Sequence, residues 1–171
     1  RSLAAACAGE VRVLKLLAAE PCPQMCNLLD VNDSPHALHL VLEYAAGGSL
    51  QRHLQALQRK GHDVAVPEPD AIAMSRQLAS ALAHMHTRDL AHRDLKPANI
   101  LFATEAPAPA TAEAAAATAV SCRQLKLCDF GFAVHCPPPS RCHTRCGTPV
   151  YMAPELHVVS NTSSGYIAAA V

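Results

Sequence analysis

The stretch "LAHRDLKPANILF", residues 90–102, places charged side chains directly beside a short apolar run. It contains Asp94, then Lys96 two residues later and Asn99 five residues after the Asp. Charged groups are costly beside a buried strand unless a ligand or a partner needs them. The pattern therefore indicates a site that uses a carboxylate, an ammonium and an amide together.

Length and composition limit the class of protein. The 171 residues suit one domain, but 33 of them are Ala and none is Trp, so the core must rest on Leu, Val and a few aromatics. The net charge of zero does not favour a nucleic-acid partner. Because no apolar run reaches the roughly 18 residues of a membrane span and no signal pattern opens the chain, we expect a cytoplasmic protein.

Eight cysteines raise two alternatives. The segment "HCPPPSRCHTRC", residues 135–146, gathers Cys and His as a zinc-binding module would. It lacks the paired CxxC spacing of zinc sites, so free thiols in a reducing compartment are the favoured interpretation.

Hydrophobic periodicity predicts a mixture of helices and strands, an α+β fold. Between the last two strands lies an Ala/Pro-rich insert, residues 103–124, which is predicted to be a disordered or transiently helical hairpin tip. The predicted helices cover most of the first twenty residues, 49–59 with Ser49 as N-cap, and 69–88, and the predicted strands cover 26–33, 37–45, 100–102 and 125–128.

Three strings occur in a fixed order: "HRDLKPAN" (92–99), "DFG" (129–131) and "GTPVYMAPE" (147–155). Together they resemble the signature set of the eukaryotic protein kinases, of the Ser/Thr type. The words "DFGFA" and "CGTPVYMAPE" are also similar to those of the autophagy-initiating Ser/Thr kinases. The resemblance implies ATP and Mg²⁺ as cofactors and a protein with Ser or Thr as substrate. It sets no oligomeric state.

The resemblance also implies catalytic roles. Phosphoryl transfer needs positioned metal ions, positive charge near the moving phosphate and an acceptor for the hydroxyl proton. Asp94 would orient and deprotonate the substrate hydroxyl, and Lys96 would neutralise the phosphate. Asn99 and Asp129 would hold Mg²⁺ through hard oxygen ligands. The alternative, a surface ion pair between Asp94 and Lys96, does not explain Asn99 or Asp129.

An adenine pocket is implied by the same resemblance. Leu42 would guard its back, and the Glu43 carbonyl and the Ala45 amide would hydrogen-bond adenine. Leu101 would pack under the base and Cys128 would line the pocket. As core positions, these apolar residues have a second and simpler explanation.

Two features connect the first helix to this site. Glu10 stands where the family's helix C carries the Glu that pairs with the strand-three Lys; the alternative is an ordinary exposed helix Glu. A hydrophobic column resembling the family's is formed by Leu14, Leu28, His92 and Phe130.

The activation segment has its own candidates. Lys96 together with Thr148 favours a Ser/Thr kinase, and Thr148 would hydrogen-bond the catalytic Asp and Lys. A phosphate on Thr144 would meet Arg93, and the alternative is a solvated loop Thr. Glu155 would pair with an Arg beyond these residues.

The implied architecture is the bilobal protein-kinase fold, incomplete, over residues 1–171. Residues 1–42 would be a small-lobe part beginning at helix C, 43–48 the hinge, and 49–171 the first half of the helical large lobe. The family's Gly-rich loop and strand-three Lys lie outside residues 1–171. We therefore expect residues 1–171 alone to be inactive. The rival interpretation is a non-catalytic pseudokinase or scaffold.

Overall fold

A computed structural model describes residues 3–34, 36–59, 66–105, 123–158 and 165–167. They form four α-helices and six short strands in the described part of the chain. In chain order these are α1 (Leu3–Ala19), β1 (Leu28–Asp33), β2 (Leu38–Leu42), α2 (Leu50–Arg59), α3 (Glu68–His86), β3 (Leu90–Ala91), β4 (Ile100–Phe102), β5 (Leu125–Leu127), β6 (Val134–His135) and α4 (Pro154–Val158). Single 3₁₀ turns occur at Pro97–Asn99 and Pro149–Tyr151.

Helix α1 contributes one apolar side to the largest buried cluster. Val13, Leu14 and Leu17 follow helical spacing and are almost fully buried. They share that cluster with Met85 of α3 and Phe130. The predicted first helix is therefore confirmed, and its buried side lies against the segment that carries "DFG".

Strands β1 and β2 form an antiparallel hairpin, with pairing from Leu28 opposite Leu42 to Asp33 opposite Leu38. Both strands occur where they were predicted, with shorter bounds. The chain after β2 runs alongside β4, because the Gly47 amide donates to the Phe102 carbonyl at 2.9 Å.

Helices α2 and α3 also match their predicted positions to within about two residues. Ser49 is the N-cap of α2, since its Oγ accepts a hydrogen bond from the Arg52 amide at 3.2 Å. Helix α3 starts with Pro69 in its first turn, where a missing N–H costs nothing, and ends at His86.

Strands β4 and β5 pair antiparallel, with Ile100 opposite Leu127 and Phe102 opposite Leu125. This register brings the two candidate motifs together, because Asn99 precedes one strand and Cys128 follows the other. The hairpin continues one step further, since the Ala103 amide donates to the Gln124 carbonyl at 2.9 Å. The predicted disordered tip falls mostly on residues 106–122, outside the described residues.

One pair of strands, each two residues long, was not predicted from the sequence. Strand β3 pairs antiparallel with β6, Leu90 opposite His135 and Ala91 opposite Val134. Strands this short carry no periodic signal. The pair ties the start of the "HRDLKPAN" loop to the segment that follows "DFG". None of the described helices is long and apolar enough to cross a membrane.

Candidate active site

The Asp94 carboxylate lies at the centre of a ring of hydrogen-bond donors. Its Oδ2 accepts from Lys96 Nζ at 2.6 Å, and its Oδ1 accepts from the Thr148 amide at 2.8 Å and from the Thr148 hydroxyl at 2.7 Å. Asn99 Nδ2 donates to the same side chain at 3.2 Å. The structure thus brings four of the candidate residues into one network, although 54 positions separate Asp94 from Thr148.

This network keeps Asp94 ionised. Burial opposes ionisation, but the hydrogen bonds from Lys96 and Thr148 outweigh it and lower the pKa of the Asp94 carboxyl. The same contact with Asp94 raises the pKa of the Lys96 ammonium. At neutral pH the site therefore holds a carboxylate beside a lysine cation.

Local backbone geometry aims this carboxylate. Arg93 adopts a left-handed φ of 64°, which is uncommon for a residue with a side chain. Gly147, just before Thr148, has a φ of 103°, and a Cβ there would lie 2.5 Å from the Arg93 carbonyl oxygen. Only glycine lets the two segments approach this closely.

The side-chain amide of Asn99 uses its nitrogen within the protein and has its oxygen available to a ligand. Its Nδ2 donates to the carbonyl of Asp94 at 3.0 Å and to the Asp94 carboxylate, which fixes the amide orientation. The amide oxygen is then the atom that can act as a metal ligand. The Cys128 amide donates to the Asn99 carbonyl at 2.9 Å, so Asp129 follows a residue that contacts Asn99 directly.

Asp129 and Glu10 face each other across the "DFG" turn. Glu10 Oε2 lies 4.0 Å from the position that a Cβ on Gly131 would occupy, and the Asp129 side chain accepts from the Gly131 amide at 3.4 Å. Burial, followed by the charge of Asp129, raises the pKa of Glu10. Two carboxylates that repel one another indicate a place where a cation would be stabilised.

His92 connects the "HRDLKPAN" loop to the core. Its Nδ1 accepts from the Asp94 amide at 3.3 Å, and its Nε2 lies 3.0 Å from the Cys128 carbonyl. Burial lowers the pKa of His92, so the ring is neutral and Nε2 carries the proton that it donates. The ring meets Phe130 edge to face at 5.4 Å. Phe130 belongs to the same buried cluster as Leu14, and Leu28 packs against it, so the four column residues are connected.

The residues predicted to bind adenine lie on or next to three strands. Leu42 ends β2, with Glu43 and Ala45 after it, Leu101 lies in β4, and Cys128 follows β5. Among the described residues, neither the Glu43 carbonyl nor the Ala45 amide takes part in a backbone hydrogen bond, so both are available to a ligand. Leu42 is 37% exposed, while Leu101 and Cys128 are half-buried.

The side chain of Glu43 has a role that the sequence analysis did not identify. It forms an ion pair of 2.7 Å with Lys126 of β5 and accepts from the Asn27 amide group at 3.1 Å. Lys126 Nζ also donates to the carbonyls of Pro23 and Met25. Burial opposes ionisation of Glu43, but the contact with Lys126 outweighs it and lowers the pKa.

Arg93 contacts Tyr166, a residue that the motifs did not single out. Its Nη1 donates to the Tyr166 hydroxyl at 3.1 Å, and its Nε donates to the Phe132 carbonyl at 2.7 Å. The Tyr166 hydroxyl in turn donates to the carbonyl of Thr144 at 2.9 Å, while Thr144 itself is exposed. Arg93 and Thr144 are therefore linked through Tyr166.

Two remaining expectations concern Glu155 and zinc. Glu155 is exposed in the first turn of α4. Within the described residues, no group of three or more His, Cys, Asp or Glu side chains is arranged to hold a metal ion, which gives the zinc-module alternative no support.

Comparison with known proteins agrees with this geometry. The family model described as "Protein kinase domain" matches residues 2–169. The chain belongs to the protein kinase domain family. Its mixed helix and strand content fits that family, and the resemblance drawn from the three motifs is confirmed.

Several Ser/Thr protein kinases are similar to this chain. Serine/threonine-protein kinase ATG1c of Arabidopsis thaliana is 37% identical over 134 residues, covering 78% of this chain and 16% of the relative. DCLK3 of Homo sapiens is 38% identical, covering 78% and 17%. ULK3 of Homo sapiens is 35% identical over 148 residues, covering 86% and 26%. The chain thus spans between 16% and 26% of the length of these relatives.

Proposed function

We propose that the full-length protein is an ATP-dependent Ser/Thr protein kinase, which transfers the γ-phosphate of ATP to Ser or Thr hydroxyls of proteins. The observation that supports this best is the environment of Asp94. A buried carboxylate is held ionised and oriented by Lys96, Thr148 and Asn99. A surface ion pair would need only the contact between Asp94 and Lys96, and neither the burial of the carboxylate nor the further donors of Thr148 and Asn99.

In this proposal Asp94 accepts the proton of the substrate hydroxyl. The hydroxyl oxygen forms a bond to the γ-phosphorus, the bond from that phosphorus to the bridging oxygen breaks, and ADP leaves. Lys96 has two described hydrogen bonds, to Asp94 and to Thr148, and an ammonium has three donors. The third donor is available to a phosphate oxygen.

The donor set fits Mg²⁺, which prefers carboxylate and amide oxygens. Asn99 and Asp129 would hold it, since the Asn99 oxygen is the free end of an oriented amide. When bound, Mg²⁺ supplies positive charge to the phosphate oxygens. The position of the Glu10 and Asp129 carboxylates beside the same turn also supports a cation there.

The proposed function also includes a division of the chain into two lobes joined by a hinge. Residues 43–48 would join a small-lobe part, 1–42, to a large-lobe part, 49–171, with adenine bound at Glu43 and Ala45. The cytoplasmic location predicted from the sequence is part of the same proposal. The rival, a non-catalytic pseudokinase or scaffold, is not favoured, because the candidate base and metal residues are all present.

The test uses the full-length protein with ATP, Mg²⁺ and matched peptides that carry Ser, Thr or Tyr as the only acceptor. We expect phosphate transfer to Ser and Thr but not to Tyr, and loss of transfer when the metal is chelated. Asp94→Asn keeps the side-chain shape and removes the base, so turnover should fall by about 10³-fold while nucleotide binding persists.

Two results would contradict the proposal. One is a wild-type protein that binds nucleotide but transfers no phosphate under any metal condition. The other is an Asp94→Asn variant as active as the wild type, since phosphate transfer would then arise from another residue or from a contaminating enzyme.

A further inference from the structure

The segment between "DFG" and "GTP" contains three cysteines that the proposed reaction does not use. Cys142 is buried in a small cluster with Ala91, Leu156 and Tyr166, and the side chain of Cys136 packs against that cluster. All of the cysteines that the structure describes are free thiols. Two of these thiols, Cys136 and Cys142, therefore share one restricted space, and a side-chain interaction joins them.

The backbone fixes both residues of this pair. The Cys136 amide donates to the Asp89 carbonyl at 2.8 Å, which anchors one side. Cys142 and Tyr166 exchange two backbone hydrogen bonds of 2.9 and 2.8 Å, which anchor the other. Between them the chain reverses through a turn in which the Ser140 amide donates to the Pro137 carbonyl at 2.9 Å. The proximity of the two cysteines therefore results from a loop that is anchored at both ends.

The two thiols differ in the way that a stepwise oxidation needs. Burial, together with a side-chain hydrogen bond to Cys136, raises the pKa of Cys142 to about 11, although the nearby Arg93 opposes that shift. Cys136 is half-buried, so it is the thiol that a small oxidant reaches first. Cys142 then lies against the oxidised sulfur.

We propose that Cys136 and Cys142 are a site of reversible disulfide formation, with hydrogen peroxide as the oxidant. The Cys136 thiolate attacks one peroxide oxygen, the O–O bond breaks and hydroxide leaves, which gives a sulfenic acid. Cys142 loses its proton and attacks the Cys136 sulfur, and water leaves. Two thiols and one hydrogen peroxide thus become one disulfide and two waters.

This bridge has a specific structural consequence. Cys142 pairs with Tyr166, whose hydroxyl binds Arg93 and the Thr144 carbonyl. A covalent link from Cys136 to Cys142 would close a ring around the proline-rich turn and restrain the segment at Cys142 that pairs with Tyr166. The oxidation state of the pair is therefore connected to the residue that precedes the catalytic carboxylate.

The sequence allows a direct test in the full-length protein. Trypsin cleaves after Lys126, Arg141 and Arg145, which separates Cys136 in "LCDFGFAVHCPPPSR" from Cys142 in "CHTR". The reduced protein is treated with hydrogen peroxide while folded, and the remaining thiols are alkylated before digestion. We expect the two peptides to be found joined, and to separate when a thiol reductant is added.

Two variants make the result decisive. Cys128→Ser removes the other cysteine of the longer peptide and should leave the linked pair unchanged, whereas Cys136→Ser should abolish it. The proposal is overturned if "CHTR" is alkylated in the peroxide-treated protein, if it is joined to the peptide that begins at Cys146, or if the link survives Cys136→Ser. None of these results depends on kinase activity.

Discussion

Two lysine–carboxylate pairs in this protein are almost equal in length and opposite in arrangement. Lys96 lies 2.6 Å from Asp94, and its side chain is 22% exposed while that of Asp94 is 2% exposed. Lys126 lies 2.7 Å from Glu43, and here the lysine is 6% exposed and the carboxylate 33%. The Asp94–Lys96 pair buries its anion and leaves its cation partly accessible, whereas the Glu43–Lys126 pair does the reverse.

The two lysines differ in how many of their hydrogen-bond donors are already used within the protein. All three donors of Lys126 are used by Glu43 and by the carbonyls of Pro23 and Met25, so this cation holds segments of the protein together. Lys96 keeps a donor available beside an ionised base. Similar distances therefore correspond to different roles, a structural one for Lys126 and, in the proposed mechanism, a catalytic one for Lys96.

The largest expected effect is a loss of turnover on substitution of Lys96, which Lys126 should not share. Lys96→Met removes the cation that would meet the phosphate, so turnover by the full-length protein should fall by about 10²- to 10³-fold. The melting temperature should fall less than in Lys126→Met, because Asn99 and Thr148 still donate to the Asp94 carboxylate when Lys96 is removed. Steady-state kinetics and thermal melting of the same preparations measure both. A variant that retains wild-type turnover would assign Lys96 to the same structural class as Lys126.

Lys126 should give the opposite result. Lys126→Met leaves two carbonyls and Glu43 without their donor, and we expect a loss of about 2–3 kcal/mol in the free energy of unfolding of the kinase domain. Turnover per folded molecule should stay within about threefold of the wild type. Urea unfolding and active-site titration measure these quantities, and an unchanged unfolding free energy would show that the buried contacts contribute nothing.

Gly147→Ala tests how closely the catalytic loop and the activation segment must approach. A methyl group would clash with the Arg93 carbonyl and require an unfavourable φ, so we expect a loss of about 2 kcal/mol in stability and weaker positioning of Thr148. Gly9→Ala is the matched control, since nothing lies within 4 Å of its added Cβ. Within α1 this control should stabilise by up to about 1 kcal/mol. Equal effects of the two substitutions would exclude the steric explanation.

The smallest expected effect is on the free energy of unfolding at low pH. The pKa of both Asp94 and Glu43 is lower in the folded protein than the ordinary value, so the unfolded chain binds more protons as pH falls. Each carboxylate therefore stabilises the fold above about pH 4, and this contribution is lost as pH falls through the folded pKa. Asp94→Asn and Glu43→Gln should each flatten the acid side of the stability curve, measured by urea unfolding. Asp94→Asn should do so more, because the Asp94 carboxylate accepts from four donors and that of Glu43 from three, and two superimposable curves would contradict this comparison.

Much of the fold was predictable because its signals are local. Helix α1 and the paired strands β4 and β5 follow from apolar spacing within a few residues. Ser49 as N-cap follows from residue type and position. The three motifs predicted which side chains would be candidates for chemistry, and the structure gathers Asp94, Asn99 and Thr148 into one network.

What the sequence did not reveal depends on distant partners. Tyr166 is 73 positions from Arg93, and no spacing rule connects them. Glu43 was selected for its backbone carbonyl, whereas its side chain meets Lys126 only after β5 is in place. Strands β3 and β6 are each two residues long, so neither carries a pattern of its own.

The backbone hydrogen bond between Ala103 and Gln124 has a consequence for engineering. It closes the β4–β5 ladder at its outer end, so the register of the two strands is set before the intervening chain begins. Each doubling of a flexible connection costs only about 0.6 kcal/mol. A reporter peptide or a small sensor domain grafted between these two residues would leave the strand ends that carry Asn99 and Asp129 where they are.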